Sequence, residues 1–537
     1  MKKSLKRLPL IILILLAACI YYYVTIPAFN IHSTGTWMFL ICGWAVIVLL
    51  FSWRKIRLTR GGKIEYEKEK GFTFTKLGFG FLVLMVLVLL IGSLLSSPIV
   101  NAKKYQQLLT VENREFTEDI KPVDYTQIPL LDKASAELLG NRKMGTMVEY
   151  VSQFEVSTLY SQINYQGKPV RVTPLVYASP IKWLTNQADG IPAYIMIDMA
   201  TQETECIKLT QPIRYSMSEY FGRNIYRHLR FNYPTYIFDQ LSFEIDDEGI
   251  PYWICPVKKF NVGLFGGQTI GKVVLCNAIT GETQSMDVDQ VPEWVDRVYP
   301  ADLLVQLYDY HGILKNGFFN SVLGQRDCLQ TTDGYNYIAM EDDVWVYTGV
   351  TSVSGDESNV GFVLMNQRTM ETRYYTCAGA EEYSAMSSAE GQVQHLGYQA
   401  AFPLLLNISG EPTYFLALKD DAGLVKKYAM VNIQRYQIVA IGDTVAECEK
   451  AYRALMAENQ ITQTDEDAIK ERTGVIRKIT PGVIEGNTYY YLMLENSNDI
   501  FEISLADFVG IVRYEPGDRI SMRCLDGTET WEVVEIK

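Results

Sequence analysis

The sequence predicts an α+β protein with three N-terminal transmembrane helices, an extracytoplasmic body of antiparallel sheet-plus-helix repeats and a small C-terminal β-barrel. Three observations predict this fold class. Three long apolar runs occupy the first 98 residues. From about residue 148 apolar and polar residues alternate, rich in Tyr, Val, Ile and Thr, and this period-two pattern is typical of strands. A short strand-rich tail begins at Gly474, after a polar segment.

The apolar run from Leu77 to Ser97 is the strongest membrane signal. It contains no charged residue, and about 20 apolar residues are what a helix needs to cross a bilayer. Two further runs, from Leu8 to about Ile26 and from about Trp37 to Trp53, precede it. We therefore expect a membrane domain of residues 1–98 with three spanning helices. The alternative for the first run is a cleaved signal peptide ending near Ala17 to Cys19, although the apolar residues continue past that point.

Basic residues are concentrated at the membrane end of the chain. Residues 1–76 hold 12 Lys and Arg against 3 Glu, whereas the rest holds 37 basic and 59 acidic residues, a net charge of −22. The positive-inside rule makes the N-terminus and the basic loop from Arg54 to Lys76 cytoplasmic. A multi-pass protein of the cell membrane follows, with membrane lipid around its helices and residues from about 98 onward extracytoplasmic. No nucleic acid is expected as a partner, because phosphate binding needs concentrated Lys and Arg.

A turn motif recurs in the body, each time after a predicted strand. Its copies are Asp198–Thr204, Asn277–Thr283, Asn366–Thr372 and, in degraded form, Asn432–Gln437. The first three share the pattern Asx-x-x-Thr-x-Glu-Thr. An Asx side chain stabilises a hairpin turn by accepting backbone N–H groups. The copies are 79, 89 and 66 residues apart, which predicts separate modules of strands plus a helix rather than a tight solenoid.

A strand, this turn motif and a second strand, preceded by a helix, resemble the PepSY-type module of exported bacterial proteins. The stretches Gly249–Val257, Lys272–Thr283 and Val291–Tyr299 strengthen the resemblance. The span of about 145–457 is similar to uncharacterised bacterial membrane-anchored proteins with PepSY-like repeats. The resemblance implies protease inhibition or regulation near the cell envelope. The predicted divisions are a membrane domain (1–98), a stalk (99–147), a PepSY-like repeat region (148–458), a linker (459–473) and a small β-barrel (474–537).

The C-terminal tail is predicted to contain five strands. They are Gly474–Ile479, Tyr489–Leu494, Phe501–Ser504, Arg519–Cys524 and Trp531–Ile536. Five short strands in so few residues are typical of a small barrel, and their order is similar to an OB/SH3-like β-barrel. OB folds often bind nucleic acid, but this tail has 6 basic and 11 acidic residues. We therefore expect it to pack or to contact protein.

No catalytic, cofactor-binding or metal site is recognisable by motif. The four histidines lack the spacing of metal ligands, and the cysteines contain no CxxC pair, so those of the body are expected to be small core residues. Gly266–Lys272 matches GxxxxGK superficially, but Val273 stands where a phosphate-binding loop needs Ser or Thr. Ser179–Lys182 matches SxxK without its companion motifs, and Pro180 disfavours the helix that this motif needs.

Aromatic residues around Gly317, together with two tryptophans, are the candidate surface for a partner or for the membrane; core packing is the alternative. They are Trp253, Trp294, Tyr308, Tyr310, Phe318 and Phe319. Our first hypothesis is a non-enzymatic, membrane-anchored extracytoplasmic binding or scaffold protein of the bacterial cell envelope, which engages an envelope protein through PepSY-like modules. The alternative is a cell-envelope hydrolase with a site not recognisable by motif. A deep cleft with converging ionisable residues would favour the hydrolase.

Overall fold

The computed structural model describes residues 8–536 apart from a few short stretches. The residues left out within that range are 54–55, 59–63, 67–73, 121–128, 130, 354–357, 460–468, 485–486, 496, 506–507 and 527–529. The N-terminal basic residues, most of the predicted cytoplasmic loop and most of the predicted linker therefore lie outside the described residues. Contacts divide the chain into two units, Met1–Tyr452 and Arg453–Lys537.

The described α-helices occupy the membrane end and the connections between strands. They are α1 (Leu8–Thr25), α2 (Thr34–Trp53), α3 (Phe74–Leu95), α4 (Pro98–Gln106), α5 (Phe116–Asp119), α6 (Lys133–Thr146), α7 (Pro180–Asn186), α8 (Ile225–Asn232), α9 (Ala301–Ile313), α10 (Glu382–Gln392) and α11 (Val445–Glu458).

Strands make up most of the remainder. They are β1 (Ile56–Leu58), β2 (Ile64–Tyr66), β3 (Glu112–Arg114), β4 (Phe154–Val156), β5 (Ser161–Tyr165), β6 (Lys168–Tyr177), β7 (Ile191–Asp198), β8 (Thr204–Ile213), β9 (Ser242–Ile245), β10 (Pro251–Val262), β11 (Gly266–Asn277), β12 (Thr283–Asp287), β13 (Leu329–Thr331), β14 (Asn336–Met340), β15 (Asp343–Ser352), β16 (Ser358–Asn366), β17 (Thr372–Ala380), β18 (Gln399–Ala400), β19 (Leu404–Ile408), β20 (Glu411–Lys419), β21 (Val425–Asn432), β22 (Val439–Gly442), β23 (Ile469–Ile484), β24 (Asn487–Leu494), β25 (Phe501–Ser504), β26 (Arg519–Asp526) and β27 (Trp531–Ile536).

The prediction of three transmembrane helices is wrong. Among the described residues, only Thr75–Leu95, within α3, forms a helix long and apolar enough to cross a membrane. The described apolar parts of α1 and α2 are Leu16–Thr25 and Thr34–Leu50, and both are shorter than the about 20 residues that a bilayer requires. The multi-pass topology that rested on three spans is therefore not supported. Most side chains of α3 are exposed, so this helix is not the core of a globular unit.

The body consists of four mostly antiparallel sheets, each built on a run of four consecutive strands. These runs are β5–β8, β9–β12, β14–β17 and β19–β22, and the further strands β4, β13 and β18 pair with the second strand of the first, third and fourth sheets. Each run is a simple meander, in which every strand pairs with the next one in the sequence. The α+β character of the prediction is therefore kept, with the helices lying in the connections.

Successive sheets pack against each other and share a core. Ile195 and Trp253 lie in the core shared by the first and second sheets. Val273 and Val363 lie in the core of the second and third sheets, and Leu364 and Leu416 in that of the third and fourth. The fourth sheet returns towards the first through α6, because the Lys419 ammonium pairs with Asp132 and the Ser135 hydroxyl donates to the carbonyl of Gly423 at 3.2 Å. Ala136 of α6 is buried in the core of the first and second sheets. The first and fourth sheets are therefore linked through α6.

The hairpin-turn prediction for the recurring Asx motif is confirmed. In the first three sheets the motif joins the third strand of the meander to the fourth. The Asp198 carboxylate accepts the backbone N–H groups of Ala200 and Thr201 at 2.9 and 2.8 Å. The side chains of Asn277 and Asn366 accept the N–H groups two and three residues further on in the same way. The repeated pattern therefore marks the same position in each sheet.

The segment predicted to be a stalk packs on the body instead of standing free. Tyr105 and Leu109 are buried, and β3 adds a parallel strand to the edge of the third sheet beside β17. Further on, α6 begins at the Asp132 cap, whose side chain accepts the N–H of Ser135 at 2.9 Å. The chain between residues 98 and 147 therefore ties the membrane helix to the sheets, as far as it is described.

The C-terminal unit contains five strands that close on themselves. β23 pairs with β24 and with β26, β25 pairs with β24 and in parallel with β27, and β27 pairs with β26. Each strand therefore has two neighbours in a closed barrel. Leu492, Phe501 and Ile520 are among the buried residues that fill its interior.

Candidate partner-binding surface

The structure separates the six aromatic residues predicted to form a contact surface. Trp253 and Tyr308 are only 1% and 3% exposed and lie in two different cores. The indole N–H of Trp253 donates to the carbonyl of Tyr215 at 2.8 Å, which satisfies its polar group inside the body. These two residues cannot meet a partner at the surface. The prediction that Trp253 and Tyr308 belong to a contact surface is therefore corrected: both are core residues.

The other four aromatic residues lie nearer the surface, but at two places. Trp294 packs against Tyr252 with ring centroids 5.1 Å apart. Tyr310 and Phe318 are half-buried beside a small apolar cluster. Phe319 is 73% exposed. A contact role for Phe319 and its neighbourhood therefore stays a prediction.

Two motifs that superficially matched enzyme signatures have structural roles. Ser179 is the N-cap of α7, since its hydroxyl accepts the N–H of Lys182 at 3.3 Å. Pro180 occupies the first helical position, where the missing N–H costs nothing, so the expectation that it disfavours a helix here is wrong. Gly266–Lys272 lies within β11, paired with β10 along its length, and offers no loop to surround a phosphate.

An exposed apolar patch that the sequence analysis missed lies where α7 meets the loop before α8. We call it the Trp183 patch, and its members are Ile181, Trp183, Leu184, Tyr220 and Phe221. Ile181 and Phe221 are 72% and 64% exposed. The ring of Trp183 packs against two of the other members, with its centroid 4.6 Å from that of Tyr220 and 6.0 Å from that of Phe221. Clusters of exposed apolar and aromatic residues of this kind mark interaction sites.

A buried carboxylate fixes the base of the Trp183 patch. Glu219 is almost completely buried, and its two oxygens accept the Tyr177 hydroxyl and the Trp183 indole N–H, both at 2.8 Å. Burial, and then the bond to Glu219, raise the pKa of Tyr177, so this phenol stays a donor. The patch is therefore held in one geometry before any partner arrives.

Backbone strain and two cations complete the surroundings of the patch. Phe221 has a φ of 52°, a left-handed conformation that is uncommon for residues other than glycine. Arg223 donates to the carbonyl of Gln187 at 2.8 Å, and Arg214 to that of Ala188 at 3.2 Å. These bonds place two guanidinium groups at the C-terminal end of α7.

A second group of functional interest consists of two carboxyls in the interior. The Glu244 carboxyl accepts the backbone N–H of Asp296 at 2.9 Å and the Ser242 hydroxyl at 2.9 Å. Burial raises the pKa of Glu244 to about 7. Burial and the neighbouring Glu244 raise the pKa of Asp296 well above its usual range. Perturbed carboxyls often mark catalytic sites, but both of these residues are essentially inaccessible to solvent.

The described His, Cys, Asp and Glu side chains bear on metal and thiol chemistry. No three His, Cys, Asp or Glu side chains among the described residues are placed to hold a metal ion. The prediction that the body cysteines are core residues is confirmed for Cys255 and Cys276, which are buried as free thiols. Burial raises the pKa of Cys276 to about 12, so its reactive thiolate form is suppressed.

Comparisons with known proteins give no family. No family model and no curated protein sequence matches the chain. Among solved structures, a mutant apocarotenoid oxygenase from Synechocystis is 10% identical, with 73% of this chain and 67% of that chain covered and a TM-score of 0.15. A mutant levansucrase from B. megaterium is 7% identical, with 78% and 98% covered and a TM-score of 0.15. Likenesses at this level support no statement about fold or function.

Proposed function

We propose that the chain is a membrane-anchored binding protein of the bacterial cell envelope, and that the Trp183 patch is the surface that contacts its protein partner. The observation that carries this proposal is the exposed group of apolar and aromatic side chains held in place by buried Glu219. Binding energy in interfaces is concentrated in a few such anchors, with Trp, Tyr and Arg enriched among them. The resemblance to PepSY-like modules, with their association with exported proteases, supports the same class of function.

The anchor in this proposal is α3. Its apolar side chains, such as Leu90 and Leu94, are more than half exposed, which is favourable in lipid and unfavourable in water. The basic residues from Arg54 to Lys70 precede the helix, Lys76 lies in its first turn, and the acidic body follows it. The positive-inside rule then places the N-terminal end of α3 in the cytoplasm and the body outside the cell.

Binding is favoured over catalysis because of where the ionisable groups lie. The two carboxyls with strongly raised pKa values, Glu244 and Asp296, are buried out of reach of a substrate. The Trp183 patch, in contrast, is exposed and carries apolar groups rather than a nucleophile with its base. A hydrolase that used Glu244 as its catalytic group would require a route from solvent to this carboxyl that opens during turnover.

The composition of the patch indicates the chemistry of its partner. Ile181, Leu184 and Phe221 offer apolar contact. The guanidinium groups of Arg214 and Arg223 bind the carbonyls of Ala188 and Gln187, directly after α7. A protein segment with apolar side chains flanked by Asp or Glu complements this arrangement, because Arg pairs with carboxylates in a fixed fork geometry. We therefore expect an acidic, apolar segment of an envelope protein.

Site-specific photo-crosslinking in the native membrane tests this proposal. The full chain carries a benzophenone amino acid at Phe221, and the matched control carries it at Tyr436, an exposed aromatic residue on the turn of the fourth sheet. We expect a discrete protein adduct from position 221 and none from position 436. Adding Leu184→Asp should reduce that adduct at least about tenfold, since a central side chain of an interface contributes about 2 kcal/mol or more to binding.

A stability control and the outcomes that would contradict the proposal complete the experiment. Thermal unfolding of Leu184→Asp should match that of the parent protein, because the side chain is exposed. Equal adducts from positions 221 and 436, or an adduct that Leu184→Asp leaves unchanged, would contradict the assignment of the partner surface to this patch.

A further inference from the structure

Residues 315–326, which we call the apolar loop, expose three large apolar side chains at their tip. These are Phe319, Val322 and Leu323, and Leu323 is 81% exposed. Two exposed cations, Lys315 and Arg326, stand at the two ends of the loop. An apolar tip bracketed by cations is a typical feature of segments that bind the surface of anionic membranes.

The apolar loop is held in one conformation by its own hydrogen bonds. The side-chain amides of Asn316 and Asn320 both donate to the carbonyl of Arg326, at 3.0 and 2.9 Å. The side-chain oxygen Oδ1 of Asn320 also accepts the backbone N–H of Arg326 at 3.3 Å. The two ends are therefore tied together, and the tip needs little further ordering when it binds.

A contact between α3 and the body fixes the level at which the membrane helix ends. The Ser96 hydroxyl accepts the backbone N–H groups of Leu264 and Phe265, at the tip of the β10–β11 hairpin, at 2.7 and 3.1 Å. The ring of Phe265 lies so close to Gly92 that a Cβ built there would be 3.1 Å from it. The hairpin tip thus touches α3 one turn before its end.

The apolar loop adjoins this same contact. Val262, at the base of the hairpin tip, is buried in a cluster with Tyr105 and Leu314, and Phe318 packs against that cluster. The Tyr105 hydroxyl donates to the carbonyl of Ser96 at 2.6 Å. Since the apolar loop begins directly after Leu314, it lies beside the point where α3 leaves the bilayer.

We propose that the apolar loop inserts Phe319, Val322 and Leu323 into the interface of the membrane that α3 crosses. Its basic ends, together with the exposed Lys103 and Lys104 of α4, meet anionic lipid headgroups, which attract each cation near the surface. This inference rests on the proposed anchoring by α3. It makes the loop a second membrane contact, one that limits rotation of the body about its anchor.

Lipid photo-crosslinking tests the inference with the full chain in nanodiscs. A benzophenone amino acid is placed at Leu323, at Leu90 of α3 or at Tyr436, in discs of phosphatidylcholine with or without phosphatidylglycerol. We expect lipid adducts at positions 90 and 323, with position 323 at least fivefold above position 436. In the anionic discs, Lys315→Gln combined with Arg326→Gln should lower the adduct at position 323 about threefold.

The outcomes separate the loop from the anchor. Adducts at position 90, with position 323 no higher than position 436, would overturn the loop inference and leave the anchor standing. Adducts at position 323 without any at position 90 would support lipid contact by the loop and overturn anchoring by α3. An adduct between position 323 and a second copy of the chain, in place of lipid, would also overturn the inference. If the variant with both Lys315→Gln and Arg326→Gln gave the same lipid adduct at position 323 as the parent protein, the proposed role of these two cations would be overturned.

Discussion

One carboxylate oxygen of Glu219 accepts a hydrogen bond from the indole N–H of Trp183 at 2.8 Å, and the other accepts one from the hydroxyl of Tyr177 at the same distance. One buried side chain thus connects the end of β6 with α7. The rings of Tyr220 and Phe221 pack on Trp183. The exposed patch is therefore a rigid feature with a polar foundation.

Replacing Glu219 by Ala should damage both stability and partner binding. The change leaves the buried donors of Tyr177 and Trp183 without an acceptor, and hydrogen bonds to charged groups are worth about 1.5–3 kcal/mol each. We expect a lower midpoint of thermal unfolding and loss of the adduct from position 221. Glu219→Gln, which keeps one acceptor oxygen, should lose less; equal losses in the two variants would argue against the bonding role.

Phe221→Gly should weaken partner binding without weakening the fold. Glycine adopts the left-handed backbone of this position without a steric penalty, whereas a non-glycine residue there costs of order 1 kcal/mol or more. The exposed ring contributes to the patch but little to the core. Adduct yield, reported from a benzophenone at position 184 instead, should fall while thermal stability stays level or rises. A clear drop in stability would show that the ring is a packing residue.

The buried Glu244 predicts a loss of stability as the pH rises. Its pKa is about 7 in the folded protein against 4.5 ordinarily, so between these values the folded state binds more protons than the unfolded state. The stabilisation is complete below about pH 4.5 and disappears as the pH reaches 7, a change of about 3 kcal/mol. Asp296 acts in the same direction, and the charge of Arg297 opposes it at Glu244.

Differential scanning calorimetry of the full chain between pH 4.5 and 8 measures this effect. Glu244→Gln should flatten the pH dependence of the unfolding temperature, because the amide does not titrate. The exposed Glu248 on the β9–β10 turn supplies the matched control, Glu248→Gln. A pH profile that Glu244→Gln leaves unchanged would refute the role of this carboxyl.

The recurring turns predict opposite effects for substitutions at equivalent positions. The fifth residue of the motif is left-handed in the first three sheets, with φ of 62° at Gln202, 77° at Gly281 and 67° at Met370. Gly281→Ala should destabilise by about 1–2 kcal/mol from its backbone alone, and more because the new Cβ would lie 2.3 Å from the Tyr215 ring. Gln202→Gly should be neutral or stabilising. Thermal unfolding of the two variants, measured side by side, checks the sign.

Ser96→Ala should loosen the contact between α3 and the body. The change removes the acceptor for the N–H groups of Leu264 and Phe265. It also removes the bond that the hydroxyl donates to the carbonyl of Gly92 at 2.6 Å, within the last turn of α3. Hydrogen exchange at these two amides should speed up by at least about tenfold, the equivalent of 1.4 kcal/mol. Ser97→Ala, which removes a hydroxyl that donates to the carbonyl of Leu94 in α3, should leave their exchange unchanged.

Several local features of this chain follow from the sequence alone. The Asx-x-x-Thr-x-Glu pattern identified hairpin turns because Asp198 and Asn277 need only backbone amides two and three residues away. The apolar run from Leu77 was sufficient to mark one candidate membrane helix. Period-two alternation marked the strands of the sheets. Each of these signals is written in neighbouring residues.

The candidate sites could not be predicted in the same way. Trp253 and Phe319 are equally aromatic in the sequence, and only packing between sheets buries the first and exposes the second. The Trp183 patch joins residues 36 positions apart through Glu219, and no spacing rule predicts such a pairing. The available signal was the apolar residues within Ile181–Leu184, but Pro180 led the prediction away from a helix.

The sequence by itself determined the local elements: an apolar helix, alternating strands and repeated turns, because their stabilising bonds join residues close in the chain. The tertiary structure decided how the four sheets pack, which aromatic rings stay exposed and which carboxyls are removed from water. It also brought the apolar loop beside the end of α3, through contacts among Ser96, Tyr105 and Val262. Those outcomes depend on burial shared among distant segments, and burial is a property of the packed chain rather than of any stretch of it.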